Sequence, residues 1–164
     1  MVKCLRVLII YDSKTGNTEK MALAVAEGAK EAEGIDVIVR KAEKITNEDL
    51  LKADGIIIGS PTYYGQMSGK IKAVFDESVK IHGKLEGKVG AAFTSSGGVA
   101  SGAETTIISI LEAMLVHGMI IQGRASSGHY GAAAVGAPKE REIKRCKELG
   151  KMAADLVSKL KAPK

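Results

Sequence analysis

The strongest constraint on this chain's fold is an alternation. Short apolar runs recur near residues 5–11, 35–39, 56–58, 88–93 and 119–121, and a stretch with helical spacing follows each. Parallel strands need a crossover between them, and a helix is the usual one. Ile56, Ile57 and Ile58 run on without alternation, as in a strand covered on both faces. Helix faces are traced by Met21, Val25, Gly28 and Ala32 within residues 17–32; by Ile71, Val74, Phe75, Ser78 and Val79; and by Ile107, Ile110, Leu111 and Met114. Ile143, Cys146, Leu149, Met152, Leu156 and Leu160 line a last helix, and residues 46–49 read as a helix start by capping. The pattern predicts an α/β fold: a three-layer sandwich with a five-stranded parallel sheet in order 2-1-3-4-5. The shortest run, residues 119–121, suits an edge. In that order ligands bind beyond the C-terminal strand ends, near the switch between strands one and three.

Residues 1–164 make one domain, large enough for a real core. Apolar residues at 45% and charged residues at 26% suit a globular fold. No apolar run is long enough to span a bilayer and no signal segment opens the chain, so a cytoplasmic location is expected. Cys4 and Cys146 lie far apart, and both read as buried small hydrophobes. The net charge of +5 sits wholly in residues 139–164, where nine Lys/Arg face four Asp/Glu. That end reads as a solvated helix face with a frayed tail at residues 161–164. The alternative is a docking patch for an anionic partner or for dinucleotide phosphates. No aromatic residues interleave the basic ones, which argues against nucleic acid.

Three loops follow strands one, three and four. The first holds Ser13, Lys14, Thr15, Gly16, Asn17 and Thr18 between a strand and a helix start. Hydroxyls and backbone N–H groups at a helix N-terminus suit a phosphate. Neither G-x-x-x-x-G-K-[ST] nor G-x-G-x-x-G is present, which excludes a nucleotide-triphosphate loop and a dinucleotide fingerprint. A phosphate monoester on a tightly held cofactor fits better.

The second loop, residues 59–69, sets Tyr63 and Tyr64 between Pro61–Thr62 and Gly65. Two aromatic rings could wall a planar ligand, with the loop backbone meeting its edge; an ordinary turn is the alternative. The third loop, residues 94–102, carries Ser95, Ser96, Gly97 and Gly98, small enough to let something flat approach the backbone, though a flexible connection would look similar. His117 precedes Gly118 at a helix end, where C-terminal capping accounts for it. His82 lies in a charged, exposed stretch. His129 and Tyr130 follow strand five, as a site wall or a subunit contact. No metal-ligand spacing and no G-x-S-x-G nucleophile motif is present.

At these residues the chain resembles a known family. Residues 13–18 are similar to the FMN phosphate loop of flavodoxins and flavodoxin-like reductases. Residues 59–67 resemble the G-[ST]-P-[ST]-x-x-G-x-M loop of WrbA-type NAD(P)H:quinone oxidoreductases. Residues 93–97, 117–119 and 130–132 resemble that family too, over nearly the whole chain. The resemblance implies a flavodoxin-like fold and FMN as cofactor, with NADH or NADPH as donor. It implies that Ser13, Thr15, Asn17 and Thr18 hold the phosphate, that Pro61 to Gly65 border the isoalloxazine, and that Ser95 to Gly98 meet its pyrimidine side and ribityl chain. It sets His117 near the cofactor, and it implies a homodimer or homotetramer in which Tyr130 serves a neighbouring site. The segment of residues 78–87 is shorter than in that family.

Two functions follow. One is an FMN-dependent oxidoreductase passing electrons from NAD(P)H to a quinone-like acceptor, with the flavin carrying the chemistry and no catalytic side chain required. Small residues in the third loop leave the flavin face without an aromatic lid. The other is a short-chain flavodoxin, a one-electron carrier between redox proteins; the length and an uninterrupted fifth strand fit it, while the neutral body and basic end do not. A phospho-receiver needs acidic residues after strand one and an Asp ending strand three, and here that strand ends in Gly59 and Ser60.

Overall fold

A computed structural model describes residues 4–161; of the frayed end expected at residues 161–164, Lys161 is helical and residues 162–164 lie outside the described residues. The chain alternates β1 (Leu5–Tyr11), α1 (Asn17–Ala29), β2 (Ile35–Lys41), α2 (Asn47–Lys52), β3 (Gly55–Pro61), α3 (Gly69–Glu77), β4 (Val89–Ser96), α4 (Ala103–Val116), β5 (Ile120–Ile121), β6 (Ala132–Val135) and α5 (Glu140–Lys161). The sheet is parallel throughout, in order β2-β1-β3-β4-β5. The expected order therefore holds.

Strand alternation divides the core in two. Val7, Ile9 and Tyr11 of β1 face α1 and α5, while Leu8 and Ile10 face α3 and α4. Every residue of β3 and β4 is buried, as the unbroken Ile56–Ile58 run implied. On the first face the two helices meet through glycines. A Cβ on Gly28 would stand 1.8 Å from the Lys147 carbonyl oxygen, and one on Gly150 would stand 1.9 Å from that of Val25. Only hydrogen at both places lets the backbones touch. Thr46 begins α2 with a full capping box: its side chain accepts from the Asp49 N–H, and the Asp49 carboxylate accepts from the Thr46 N–H.

Several expectations are corrected. The fifth sheet position is not one strand over residues 119–121. β5 pairs with Val89 and Gly90, β6 pairs with residues 93–96 of β4, and residues 122–131 loop out between them. The uninterrupted fifth strand that suited a carrier is therefore absent. Cys4 precedes β1 and is exposed, because its neighbour Leu5 starts the strand. Cys146 is buried, and burial pushes its thiol up to about 12. The turn of 3-10 helix at Ser78–Ile81 breaks the helical period, so Val79 points outward and Ile81 inward. Leu160, near the end of α5, is 46% exposed. No helix of the described residues is long and apolar enough to cross a membrane.

Candidate functional site

The loop after β1 is folded by its own side chain. Ser13 Oγ accepts a hydrogen bond from the Gly16 N–H at 3.1 Å. Gly16 has φ +92, a left-handed conformation that favours glycine, and nothing lies within 4 Å of where its Cβ would stand. No side chain caps α1, so its first N–H groups open into this space with the positive end of the helix behind them. Lys14 and Thr15 are exposed at the rim, and Asn17 is half-buried. Thr18 is buried and shares a 2.8 Å hydrogen bond with Ser95 Oγ, tying the first loop to the end of β4.

Beside this loop one ammonium serves two carboxylates. Asp12 is buried, and Lys70 Nζ lies 3.7 Å from its carboxylate and 3.1 Å from Glu43. The Glu43 hydrogen bond, then its charge and that of Asp12, raise Lys70 above the ordinary lysine value. Tyr11 donates to Glu19 at 2.6 Å; burial first, then that carboxylate, push the phenol up to about 12.

The loop after β3 is pinned before it turns. Thr62 N–H donates to the Ser95 carbonyl at 2.8 Å. Thr94 Oγ1 donates to the Ser60 carbonyl at 2.6 Å and accepts from Thr62 Oγ1 at 2.9 Å. Tyr63 and Gln66 then exchange backbone hydrogen bonds of 3.1 and 3.0 Å around a two-residue turn. Both residues inside it have positive φ, Tyr64 at 51 and Gly65 at 73, the signature of a type I′ turn. Tyrosine seldom adopts that conformation, and here its side chain is fully exposed. The turn rests on the start of α4, where a Cβ on Gly102 would stand 2.5 Å from Gly65 Cα.

The third loop begins later than expected. β4 continues through Ser96 rather than ending near residue 93, and Ser95 and Ser96 are buried strand residues. Residues 97–102 make the turn, closed by Ser96 Oγ and Ser101 Oγ donating to the Gly98 carbonyl at 3.1 and 2.6 Å. Gly97 and Gly98 face open space where their Cβ atoms would stand. The three loops thus converge as expected, through the Thr18–Ser95 and Thr62–Ser95 hydrogen bonds. Lys70 joins them unforeseen. Its spacing gave no sign.

His117 stands apart from this site. It follows α4, and Ile120 three residues on pairs with Val89, the first residue of β4. β4 runs about 23 Å from that end to the loops, so His117 belongs to the opposite end of the sheet. The expected place near this chain's own cofactor loops is thereby corrected. Ser78 Oγ donates to the Phe75 carbonyl at 2.6 Å, so it must accept from His117 Nε2–H at 2.7 Å. His117 Nδ1 is buried with no hydrogen-bond partner among the described residues. Burial first, then exposed His82 at 5.8 Å between ring centroids, holds His117 below the ordinary histidine value. Tyr130 is exposed on the loop between β5 and β6, and His129 Nδ1 bonds the Arg124 carbonyl at 2.7 Å.

A parallel sheet in this order, with an uncapped helix start and an open glycine turn after its first strand, defines a flavodoxin-like protein. Comparison with known proteins makes the assignment narrower. The pattern of the NADPH-dependent FMN reductase family matches residues 40–132, more than half of the chain, and the chain belongs to that family. It is 41% identical over 161 residues to a flavodoxin of Aquifex aeolicus, spanning 93% of this chain and 87% of that protein. It is 38% identical over 190 residues to an NAD(P)H dehydrogenase (quinone) of Archaeoglobus fulgidus, spanning 94% and 98%. Among solved structures, the flavodoxin, WrbA-like protein from Agrobacterium tumefaciens superposes with TM-score 0.82 at 25% identity, over 96% of this chain and 99% of that one. A flavodoxin from the domain Archaea gives 0.75 at 28%, over 94% and 99%.

Proposed function

We propose that this chain is an FMN-dependent oxidoreductase that passes electrons from NAD(P)H to a quinone-like acceptor. The observation that carries the reading is the cradle after β1. It combines uncapped N–H groups of α1, a left-handed Gly16 with open space beside it, and hydroxyls of Ser13 and Thr15. These residues fit a phosphate monoester, and Lys70 holds the Asp12 charge beneath it in check.

In this reading Ser13, Lys14, Thr15, Gly16, Asn17 and Thr18 hold the FMN phosphate. Pro61, Thr62, Tyr63, Tyr64 and Gly65 border one edge of the ring, and Ser95, Ser96, Gly97 and Gly98 the other. Bound FMN supplies hydride and electron transfer. The protein positions the ring. Thr62 and Ser95 lock the second loop to the third, so the two borders cannot spread independently. Gly97 and Gly98 place no side chain over the ring space, which leaves a face on which donor and acceptor can stack in turn. Exposed Tyr63 and Tyr64 add an apolar wall beside it. Similarity to NAD(P)H dehydrogenases (quinone) supports this two-substrate reading. A homodimer or homotetramer belongs to the same proposal, with exposed Leu115, Val116 and Ile120 as apolar surface far from the loops.

The second reading is a one-electron carrier, favoured by the similarity to flavodoxins. The FMN-loaded protein separates the two in one assay. Steady oxidation of NADH or NADPH on adding benzoquinone is the expected result. Silence with both nucleotides, in a protein that does bind FMN, would leave the carrier. Failure to take up FMN would remove both.

A further inference from the structure

Beyond the third loop, away from the phosphate cradle, lies a second hollow of about 400 Å³. That volume falls within the roughly 300–1,000 Å³ of small-molecule sites. Ser96 and Gly98 line it, so it opens directly beside the proposed ring border. Val99 and Val135 also line it, and both are exposed, at 87% and 51%. Val135 ends β6 opposite Ser96 and Val99 lies in the turn, and together they leave apolar surface open at the mouth of the site. Lys139 and Arg141 stand at the same hollow, just before and within the first turn of α5.

The charges are arranged rather than scattered. Glu142 accepts from the Lys139 backbone N–H at 3.1 Å and pairs with Arg141 Nε at 3.0 Å. The Arg141 hydrogen bond, foremost, holds that carboxyl below the usual range. Glu142 thus fixes the start of α5 and one edge of the guanidinium. The Lys139 ammonium has no ion-pair partner among the described residues. Across the hollow, Glu104 in the first turn of α4 offers a carboxylate to hydroxyl donors. Glu142 is spent on Arg141 Nε and the Lys139 N–H; the Lys139 ammonium, the other guanidinium edge of Arg141, the apolar pair and the Glu104 acceptor match a diphosphate, a purine and a ribose.

Building on the function proposed above, we infer that this hollow takes the adenosine diphosphate half of the nicotinamide dinucleotide. Lys139 and Arg141 meet the diphosphate, Val99 and Val135 cover the adenine, and Glu104 accepts from ribose hydroxyls. The basic start of α5 is then a substrate-binding feature and not only a solvated helix face. The nicotinamide is left beside the third loop, where the ring face is open.

The test compares donors with and without that half. In the FMN-loaded Lys139→Glu/Arg141→Glu protein, KM for NADH and NADPH rises at least about tenfold. Oxidation of N-benzyl-1,4-dihydronicotinamide, which lacks the adenosine diphosphate, stays at the wild-type rate. ADP-ribose binds the wild-type protein in a calorimetric titration and binds the variant at least about tenfold more weakly. Val99→Asp, at an exposed position, lowers ADP-ribose affinity in the same direction. Unchanged KM values, or ADP-ribose affinity equal in all three proteins, overturns the inference while the oxidoreductase stands. A wild-type protein that oxidises the benzyl compound but neither dinucleotide overturns both.

Discussion

At the C-terminal end of the sheet, Gly16, Gly97 and Gly98 face open space, Thr15 is exposed, and the starts of α1 and α4 carry no side-chain cap. At the N-terminal end, Ser78 and His117 are sealed among Ile56, Ile58, Phe75 and Met114, with Ser78 bonded on both sides. Both ends hold hydroxyls, yet only one can receive a ligand. The difference lies in backbone geometry. The start of α1 leaves N–H groups to be satisfied from outside, whereas the carbonyls at the end of α4 are taken up by the N–H groups of His117, Gly118 and Met119. Polarity alone does not mark a site; unsatisfied, reachable polarity does.

The largest effect should come from adding a charge at the open end. Thr15 is exposed and bears no packing load, so Thr15→Glu leaves apoprotein stability within about 0.5 kcal/mol. A carboxylate facing the FMN phosphate weakens binding by about 4 kcal/mol, roughly a thousandfold. Flavin fluorescence quenching measures the affinity and a urea titration the stability. Undiminished FMN affinity would refute the cradle.

At the sealed end the expected pattern reverses. His117→Gln costs about 1–2 kcal/mol of stability through the Ser78 bond and lost packing, and leaves FMN affinity unchanged. His117 also makes stability depend on pH. Its folded value lies below the ordinary one, so the unfolded chain takes up the proton first on acidification. The contribution of the neutral ring is complete above about 6.5 and is lost as pH falls through the lowered value. Urea titrations from pH 7.5 to 5 should show a steeper acid loss in the wild type than in His117→Gln. Parallel curves would show that the buried ring does not titrate as argued.

Much of this contrast was readable before any coordinates, for physical reasons. The unbroken Ile56–Ile58 run required a strand covered on both faces, and the Thr46–Asp49 pair required a helix start. Each polar loop directly followed an apolar strand, which fixes its end of the sheet. β6 escaped because Ala132, Ala133 and Ala134 have poor strand propensity and are held in place by pairing with β4. Val79 escaped because a 3-10 turn shifts the helical period. His117 was misplaced although its position could have been deduced. A crossover helix carries the chain back to the N-terminal side of a parallel sheet, so its last residue belongs to the sealed end.

The smallest effect is the most discriminating, because stability and activity should move in opposite directions. Tyr64 occupies a left-handed position in a type I′ turn, where Asn or Gly is the usual residue. Its ring is fully exposed and recovers no burial for that conformation. Tyr64→Asn should therefore stabilise the protein by about 0.5–1 kcal/mol in a urea titration, by relieving the backbone. If the ring is held out to cover an acceptor stacked on the open face, the same variant loses turnover with benzoquinone by about threefold to tenfold, while FMN affinity holds. A gain in stability with no loss of turnover would make the strained tyrosine incidental. A loss of both would mean that the ring packs against the protein, contrary to its full exposure. Stability traded for contact with a substrate is expected at the open end and nowhere near His117, whose every substitution should cost stability alone.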